Sequence, residues 1–112
     1  MNSGKHTDAA AAFSFTQKKK LDGALGRTGE ISTPHGTIAT PAFIPVGTKA
    51  TVKSVLPESM GALGAQALLA NAYHLYLQPG PDILDEAGGL GRFMNWAGPT
   101  FTDSGGFQVL SL

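Results

Sequence analysis

The stretch Gln66-Ala67-Leu68-Leu69-Ala70 is apolar after its first residue and leads directly into Asn71. A continuous apolar run of this length, without polar alternation, is typical of a strand buried on both faces of a parallel sheet. Thr100-Phe101-Thr102 is a second strand candidate. Between them, Asp82–Ala87 is a predicted short helix that Gly88-Gly89 would end. Strands that alternate with helices in this way predict βα units.

The residues upstream predict antiparallel structure. Phe13-Ser14-Phe15-Thr16 alternates apolar and polar residues and indicates a short strand. Lys18-Lys19-Lys20 is expected to form a solvated turn, with a contact to a phosphate backbone as the alternative. Further on, Glu30–Thr33 and Thr37–Thr40 flank the turn sequence Thr33-Pro34-His35-Gly36, in which proline presets φ and glycine tolerates positive φ. A β-hairpin is therefore predicted there.

Prolines and glycines delimit the remaining segments. Pro41–Gly47 is apolar and bracketed by prolines, which cannot donate to a sheet, so it is predicted to be an edge strand or the entry into one. Pro57 opens a helix expected to run to about Leu63. Arg92–Trp96 is expected to form another helical turn. Met1–Ala12 is small and polar, and is predicted to be a disordered tail before a domain portion at residues 13–112.

The composition limits the classes of protein that fit. Only 14% of the 112 residues are charged, against roughly 25% in soluble domains. This low fraction suggests that further chain or a partner covers much of the surface. The formal net charge of +0 provides no global basic field for nucleic acid. No apolar run approaches the ~20 residues that span a membrane, and no signal peptide is evident. The expected location is therefore the cytoplasm.

Metal chemistry within these residues is not expected. The chain has no cysteine, and its three histidines are far apart in the sequence. Structural zinc sites need three or four clustered ligands. The segment Gly47–Lys53 resembles a phosphate-binding loop only superficially, because it lacks the spacing of two glycines followed by lysine. Its lysines are expected to be solvated.

The strongest chemical signal is Thr102-Asp103-Ser104-Gly105-Gly106-Phe107-Gln108. Asp103 follows a predicted strand, where barrel enzymes place catalytic groups. Gly105 and Gly106 allow a ligand to approach backbone amides. Phe107 offers a ring for stacking, and Gln108 offers a donor and an acceptor for a base edge. The set favours a purine pocket.

Two other interpretations of the same segment remain open. It is also consistent with a tight turn that contains a capping aspartate and an ordinary core phenylalanine. The sequence Asp-Ser-Gly-Gly also surrounds the nucleophile of trypsin-like serine proteases, but there it lies within an all-β fold. The preceding βα pattern disfavours the protease.

A second polar cluster follows the first predicted parallel strand. Asn71 is expected at the same sheet edge as Asp103, where its amide could orient the carboxylate. Asn71 as a plain strand cap, with Tyr73 and His74 simply packed together, is the alternative. His74 could act as a general base on the grounds of its ordinary pKa, but Asp103 is the stronger candidate.

Together these motifs resemble the bacterial-type tRNA-guanine transglycosylases, also called queuine tRNA-ribosyltransferases. The resemblance runs from about Phe13 to Leu112. The matching segments are Thr33–Gly36, Thr40–Thr48, Leu69–Leu75, Gly88–Leu90, Phe93–Trp96 and Thr102–Leu110. The chain departs from the family at Ala72, where threonine is common, and at Gln78, where arginine is common. The loss of that arginine could weaken a phosphate contact.

The resemblance implies a (β/α)8 TIM barrel, of which the chain holds an N-terminal antiparallel hairpin region and the first βα units. It implies exchange of guanine at the tRNA wobble position for a 7-deazaguanine, through a covalent RNA–enzyme intermediate, in queuosine biosynthesis. By resemblance, Asp103 is the proton acceptor and also binds the base. The other expected base-binding residues are Ser104, Gly105, Gly106, Phe107 and Gln108. Asn71 is expected to orient the Asp103 carboxylate without binding the base.

The resemblance also implies features that these residues do not carry. The family's nucleophilic aspartate and its structural zinc site, with three cysteines and one histidine, lie later in its sequence, so the 112 residues alone are expected to be inactive. The expected partners are tRNA, the guanine or 7-deazaguanine base and a second subunit in a homodimer. A non-catalytic accessory subunit that binds tRNA or a partner subunit is the alternative, disfavoured by the intact Asp103. An unrelated βα enzyme is a third hypothesis.

Overall fold

The computed structural model describes residues 13–111, which divide into two compact units. The first ends at Phe43 and the second begins at Ile44. The predicted tail at Met1–Ala12 lies outside the described residues. The two units differ in how their strands pair, because the first is antiparallel and the second contains a parallel pair.

The first unit is a three-stranded antiparallel sheet. Strand β1 spans Ser14–Lys20, β2 spans Arg27–Thr33 and β3 spans Gly36–Thr40, in the order β1-β2-β3. The predicted hairpin at Pro34-His35 is confirmed as the connection between β2 and β3. Thr33 stabilises it, because its hydroxyl donates to the Gly36 carbonyl at 2.8 Å and accepts from the His35 amide at 3.1 Å.

The three consecutive lysines are part of β1, so the predicted turn at Lys18–Lys20 is wrong. The strand continues through them because β2 supplies pairing partners, with an irregularity between Gln17 and Lys19. Lysine is tolerated at a sheet edge, where charge opposes pairing with another chain. Lys18 Nζ lies 3.7 Å from a carboxylate oxygen of Glu30 on β2. The true turn follows the lysines, where the Leu21 amide donates to the Gly26 carbonyl at 2.9 Å.

The second unit is built on two short parallel strands. Strand β4 spans Leu68–Ala70 and pairs in parallel with β5, Thr100–Thr102. Both were predicted, together with their parallel pairing. On the other side of β4, Val46 forms a single parallel bridge to Leu69, flanked by a hydrogen bond from the Leu69 amide to the Pro45 carbonyl at 2.9 Å. The segment Pro41–Gly47, predicted to be an edge strand or the entry into one, forms only this isolated bridge, because its prolines cannot donate to a sheet.

Five short helices occur among the described residues of the second unit. They are α1 Pro57–Met60, α2 Ala72–Leu77, α3 Pro81–Glu86, α4 Leu90–Met94 and α5 Gly106–Ser111. The predicted helix before Gly88 is confirmed as α3. The first helix is shorter than predicted. Helix α4 begins before Arg92 and is capped by Asn95, which adopts a left-handed conformation with φ 62°.

The core of the second unit joins β4 to two of these helices. Its buried members are Ala50, Leu68, Ala70, Leu75 and Met94. Leu68 is fully buried, as expected for the continuous apolar run. Because β4 is anchored in this way, the residues that follow β4 are held in a defined position beside the end of β5. The described chain is therefore a mixed α/β structure in which the parallel pair sets the position of the polar residues.

Candidate functional site

The two predicted polar clusters meet at the carboxyl edge of the parallel pair. Ala70 pairs with Thr102, the last residues of β4 and β5. The next residues are Asn71 and Asp103, so they lie side by side. The Asn71 Nδ2 donates to Asp103 Oδ2 at 2.7 Å, and the Ala72 amide donates to Asp103 Oδ1 at 2.8 Å. Both carboxylate oxygens are therefore held by donors from the segment that follows β4.

These contacts stabilise the ionised form of Asp103. The hydrogen bond from Asn71 contributes most to lowering the pKa of this carboxyl below its ordinary value of 3.8, followed by the bond from the Ala72 amide. Partial desolvation opposes them and is outweighed. Asp103 is half-buried and accepts two hydrogen bonds from neighbouring residues, whereas a carboxylate can accept about four. It can therefore still accept a bond from a ligand.

Gly105 joins the Asp103 loop to the residues after β4. It is buried, with φ +68°, and a Cβ at this position would lie 3.2 Å from the Tyr73 amide nitrogen. Glycine is needed here for two reasons, the left-handed backbone and the close approach of two backbone segments. The Gly105 carbonyl also accepts from the Val109 amide at 3.0 Å, at the start of α5.

The other residues predicted to bind a base lie in this loop and in the first turn of α5. Ser104 and Gly106 are exposed, and the Gly106 amide donates to Ser104 Oγ at 3.3 Å, so it is engaged within the loop. Phe107 is 78% exposed at the beginning of α5, where a flat ring could stack on it. Gln108 is half-buried beside it.

His74 has a different environment from Asp103. Its ring makes an edge-on contact with Tyr73, with 5.7 Å between ring centroids, in agreement with the predicted packed pair. His74 also lines a cavity of about 320 Å³ together with Lys49 and Lys53. Of the interactions that lower the pKa of Asp103, the charge interaction with His74 is the weakest. The preference for Asp103 over His74 in acid–base chemistry stays a prediction from the sequence.

Two further observations concern metals and membranes. Residues 13–111 contain no group of three or more histidine, cysteine, aspartate or glutamate side chains arranged to hold a metal ion. In the same range, no helix has the length and apolarity that crossing a membrane requires. The lysines of Gly47–Lys53 are exposed, as predicted.

The profile of a family described as Queuine tRNA-ribosyltransferase matches residues 22–112. The chain belongs to the queuine tRNA-ribosyltransferase family. Curated relatives carry the same name. The protein of Moorella thermoacetica (strain ATCC 39073 / JCM 9320) is 59% identical over 101 residues, which are 90% of this chain and 27% of that protein. The protein of Halalkalibacterium halodurans is 58% identical over 104 residues, 93% of this chain and 27% of its own length.

Similarity at this level continues in other bacteria. The queuine tRNA-ribosyltransferase of Pelotomaculum thermopropionicum is 55% identical over 103 residues, 92% of this chain and 27% of the relative. The chain thus spans about 27% of the length of the family members it matches. The resemblance found in the sequence is confirmed, and the segment that contains Asn71 and Asp103 lies within the matched residues.

In this family member, the hydrogen bonds to Asp103 predict a measurable pKa shift. We expect Asn71→Ala, made in the full-length protein, to raise the pKa of Asp103, because it removes the largest cause of the lowered value. His74→Gln should raise it less. Carboxyl carbon NMR during an acid titration measures both. An equal or larger effect of His74→Gln would contradict the assignment of the Asn71 bond as dominant.

The lowered pKa of Asp103 links the stability of the fold to pH. A carboxyl whose folded pKa is lowered stabilises the folded state above its unfolded pKa and loses that contribution as pH falls through the folded pKa. The contribution of Asp103 should therefore be present at neutral pH and decline only below about 3.8. In Asn71→Ala this pH dependence should be weaker.

Proposed function

We propose that the protein containing this chain is a tRNA-guanine transglycosylase that exchanges guanine at the tRNA wobble position for a 7-deazaguanine. The observation that carries the proposal is the hydrogen-bonded pair Asn71–Asp103 at the ends of two parallel strands. It is supported by membership of a family whose relatives are named queuine tRNA-ribosyltransferases. In this proposal, Asp103 is the proton acceptor, and Asn71 positions the Asp103 carboxylate.

The proposed reaction is a double displacement. A carboxylate from another part of the protein attacks the ribose C1′, the bond from C1′ to the guanine nitrogen breaks, and guanine leaves. The incoming base then attacks C1′ and releases the carboxylate. The nitrogen that forms the new bond loses its proton, which Asp103 accepts. The departing guanine takes a proton from water, and Asp103 returns its proton to water after the second displacement, so atoms and charge balance over the exchange.

We assign a part in holding the base to each residue from Asp103 to Gln108. Phe107 is exposed four residues after Asp103 and offers the stacking surface. Ser104, Gly105 and Gly106 form the loop that brings backbone close to the base, and Gln108 hydrogen-bonds its edge. The free carboxyl of Asp103 is a weak base, since its pKa is lowered. A stacked base would exclude water from it, and desolvation raises a carboxyl pKa toward the value that proton transfer needs.

The remaining features of the proposal concern the whole protein. The parallel strands β4 and β5, each followed by a helix, fit the first βα units of a (β/α)8 barrel, whose active sites lie at the carboxyl ends of the strands. We place the structural zinc ligands outside these residues, since the chain contains no cysteine. We also propose a homodimer located in the cytoplasm that binds tRNA.

Incorporation of labelled guanine into tRNA tests the proposed function. The full-length protein should transfer label into substrate tRNA and not into a tRNA with adenine at the wobble position. Trapping of a denaturation-resistant protein–RNA adduct during turnover would support the covalent intermediate. Absence of incorporation by the folded full-length protein would overturn the proposal.

A further inference from the structure

A basic cavity in the first unit lies outside the site described above. It has a volume of about 490 Å³ and is lined by Lys19, Lys20, Leu21, Gly26, Arg27, Thr28 and Pro41. Three of these residues are cationic, and none of the described lining residues is acidic. The size is within the range of cavities that hold small ligands. Neither Asp103 nor the residues around it contribute to this cavity.

The sheet register places two cations directly opposite each other beside this cavity. Lys20 on β1 is the cross-strand partner of Arg27 on β2. Like charges directly opposite in an antiparallel pair are destabilising. The neighbouring Lys18 is different, since it pairs with Glu30 at 3.7 Å. The repulsion between Lys20 and Arg27 would become an attraction if an anion lay between them.

The lining residues indicate the chemistry of that anion. Arginine presents a planar fork that bonds phosphate oxygens in pairs, and lysine adds a point charge. Thr28 supplies a hydroxyl donor. Leu21 and Pro41 provide apolar wall, which suits the sugar or base attached to a phosphate better than a lone, fully hydrated ion. The combination fits a nucleotide unit of an RNA strand.

We infer that the cavity lined by Lys20 and Arg27 is a phosphate-binding subsite for the backbone of an RNA strand. The inference rests on the proposed function, because RNA is the polyanion that this protein would meet as its substrate. It assigns a second contact with RNA to the antiparallel sheet. A phosphate contact adds affinity without sequence information, so this subsite should affect binding and not the choice of base.

Salt-dependent binding to tRNA tests the inference. In the full-length protein, Lys20→Gln and Arg27→Gln should each reduce the slope of log Kd against log salt by about one, and the double variant by about two. The double variant should bind tRNA about tenfold more weakly at physiological salt. Its rate of guanine exchange at saturating tRNA should be unchanged. Fluorescence anisotropy with labelled tRNA measures the affinity.

Lys18→Gln is the matched control. It removes the same charge from the same strand, but Lys18 is paired with Glu30 and does not line the cavity. It should leave the salt slope unchanged. A slope that changes equally in Lys18→Gln and Lys20→Gln would show a diffuse basic surface and would overturn the subsite.

Two further measurements distinguish other occupants. If calorimetric titration with inorganic phosphate or guanosine monophosphate detects binding that the double variant loses, while tRNA affinity is unchanged, the cavity holds a free phosphate and the RNA assignment is wrong. If the double variant lowers the Tm and leaves tRNA affinity unchanged, a carboxylate of the same protein occupies the cavity, which also overturns the inference. Wild-type protein that fails to bind tRNA at all would instead contradict the proposed function.

Discussion

Asp103→Asn in the full-length protein is expected to reduce guanine exchange by about 10²-fold or more, in the range of general acid–base groups. The amide keeps the shape of the side chain but cannot accept a proton from a ring nitrogen. In the wild type, Asn71 and Ala72 donate to Oδ2 and Oδ1 of Asp103 at 2.7 and 2.8 Å. In the variant, one of these donors would face an NH2 group and the other an uncharged oxygen. Steady-state exchange at saturating tRNA and guanine measures the loss.

The affinity for tRNA separates this catalytic loss from a loss of binding. It should change little, because phosphate contacts dominate affinity for nucleic acid. Asp85→Asn, at an exposed position on α3, is the matched control and should leave exchange unaffected. Asp103→Ala should be at least as severe as Asp103→Asn, since it leaves donors unpaired. Near-full exchange by Asp103→Asn would identify Asp103 as a turn residue, and His74 would be tested next.

The parallel pair and its polar edge could be predicted from the sequence because the signals are local. The run at Gln66–Ala70 is apolar throughout after its first residue, and a polar residue follows it at once. The second strand candidate, Thr100–Thr102, is likewise followed at once by a polar residue, Asp103. In parallel strands the carboxyl ends meet at one edge, so two separate sequence signals predict one site. The hydrogen bond between Asn71 and Asp103 realises that juxtaposition.

Helix α2 was not predicted, and the hydrogen bonds around its first residues could not be inferred from the sequence either. Asparagine often begins a helix by accepting a bond from a backbone amide in the first turn. Asn71 occupies this N-cap position with extended backbone, φ −98° and ψ 120°, yet its side chain makes no capping bond. The amide is directed to Asp103 instead, while the Ala72 backbone amide bonds the same carboxylate. Every residue except proline has a backbone amide, so the sequence does not show which amide will bond the carboxylate.

The incorrect prediction of a turn at Lys18–Lys20 has a non-local cause. Three lysines in succession carry no apolar alternation, so local pattern indicates solvent and a turn. Pairing with β2 nevertheless extends β1 through them. Which residues a strand pairs with depends on the partner strand and the turn between them, and the glycine-rich segment after Lys20 places that turn later than the charge run suggests. Strand ends are therefore less predictable than the buried strands.

The close approach at Gly105 gives the second large expected effect. Gly105→Ala should reduce guanine exchange by about tenfold or more. Its φ of +68° costs an alanine about 1–2 kcal/mol. Its Cβ would also lie 3.2 Å from the Tyr73 amide nitrogen and 3.6 Å from the Ala72 Cβ. These are backbone and short side-chain atoms that cannot rotate away, so the Asp103 loop must move relative to the residues that hold its carboxylate. Small displacements of catalytic groups carry large losses of rate.

Gly64→Ala separates displacement from backbone strain. Gly64 has φ +99° and open space where a Cβ would be, so alanine there meets the conformational cost without a collision. Both variants should lower the Tm, but only Gly105→Ala should reduce exchange among molecules that remain folded. The pKa of Asp103 gives a second measure, because moving the loop away from Asn71 should raise it. If Gly105→Ala keeps full exchange and an unchanged Asp103 pKa, the packing of Gly105 on Tyr73 does not position the carboxylate.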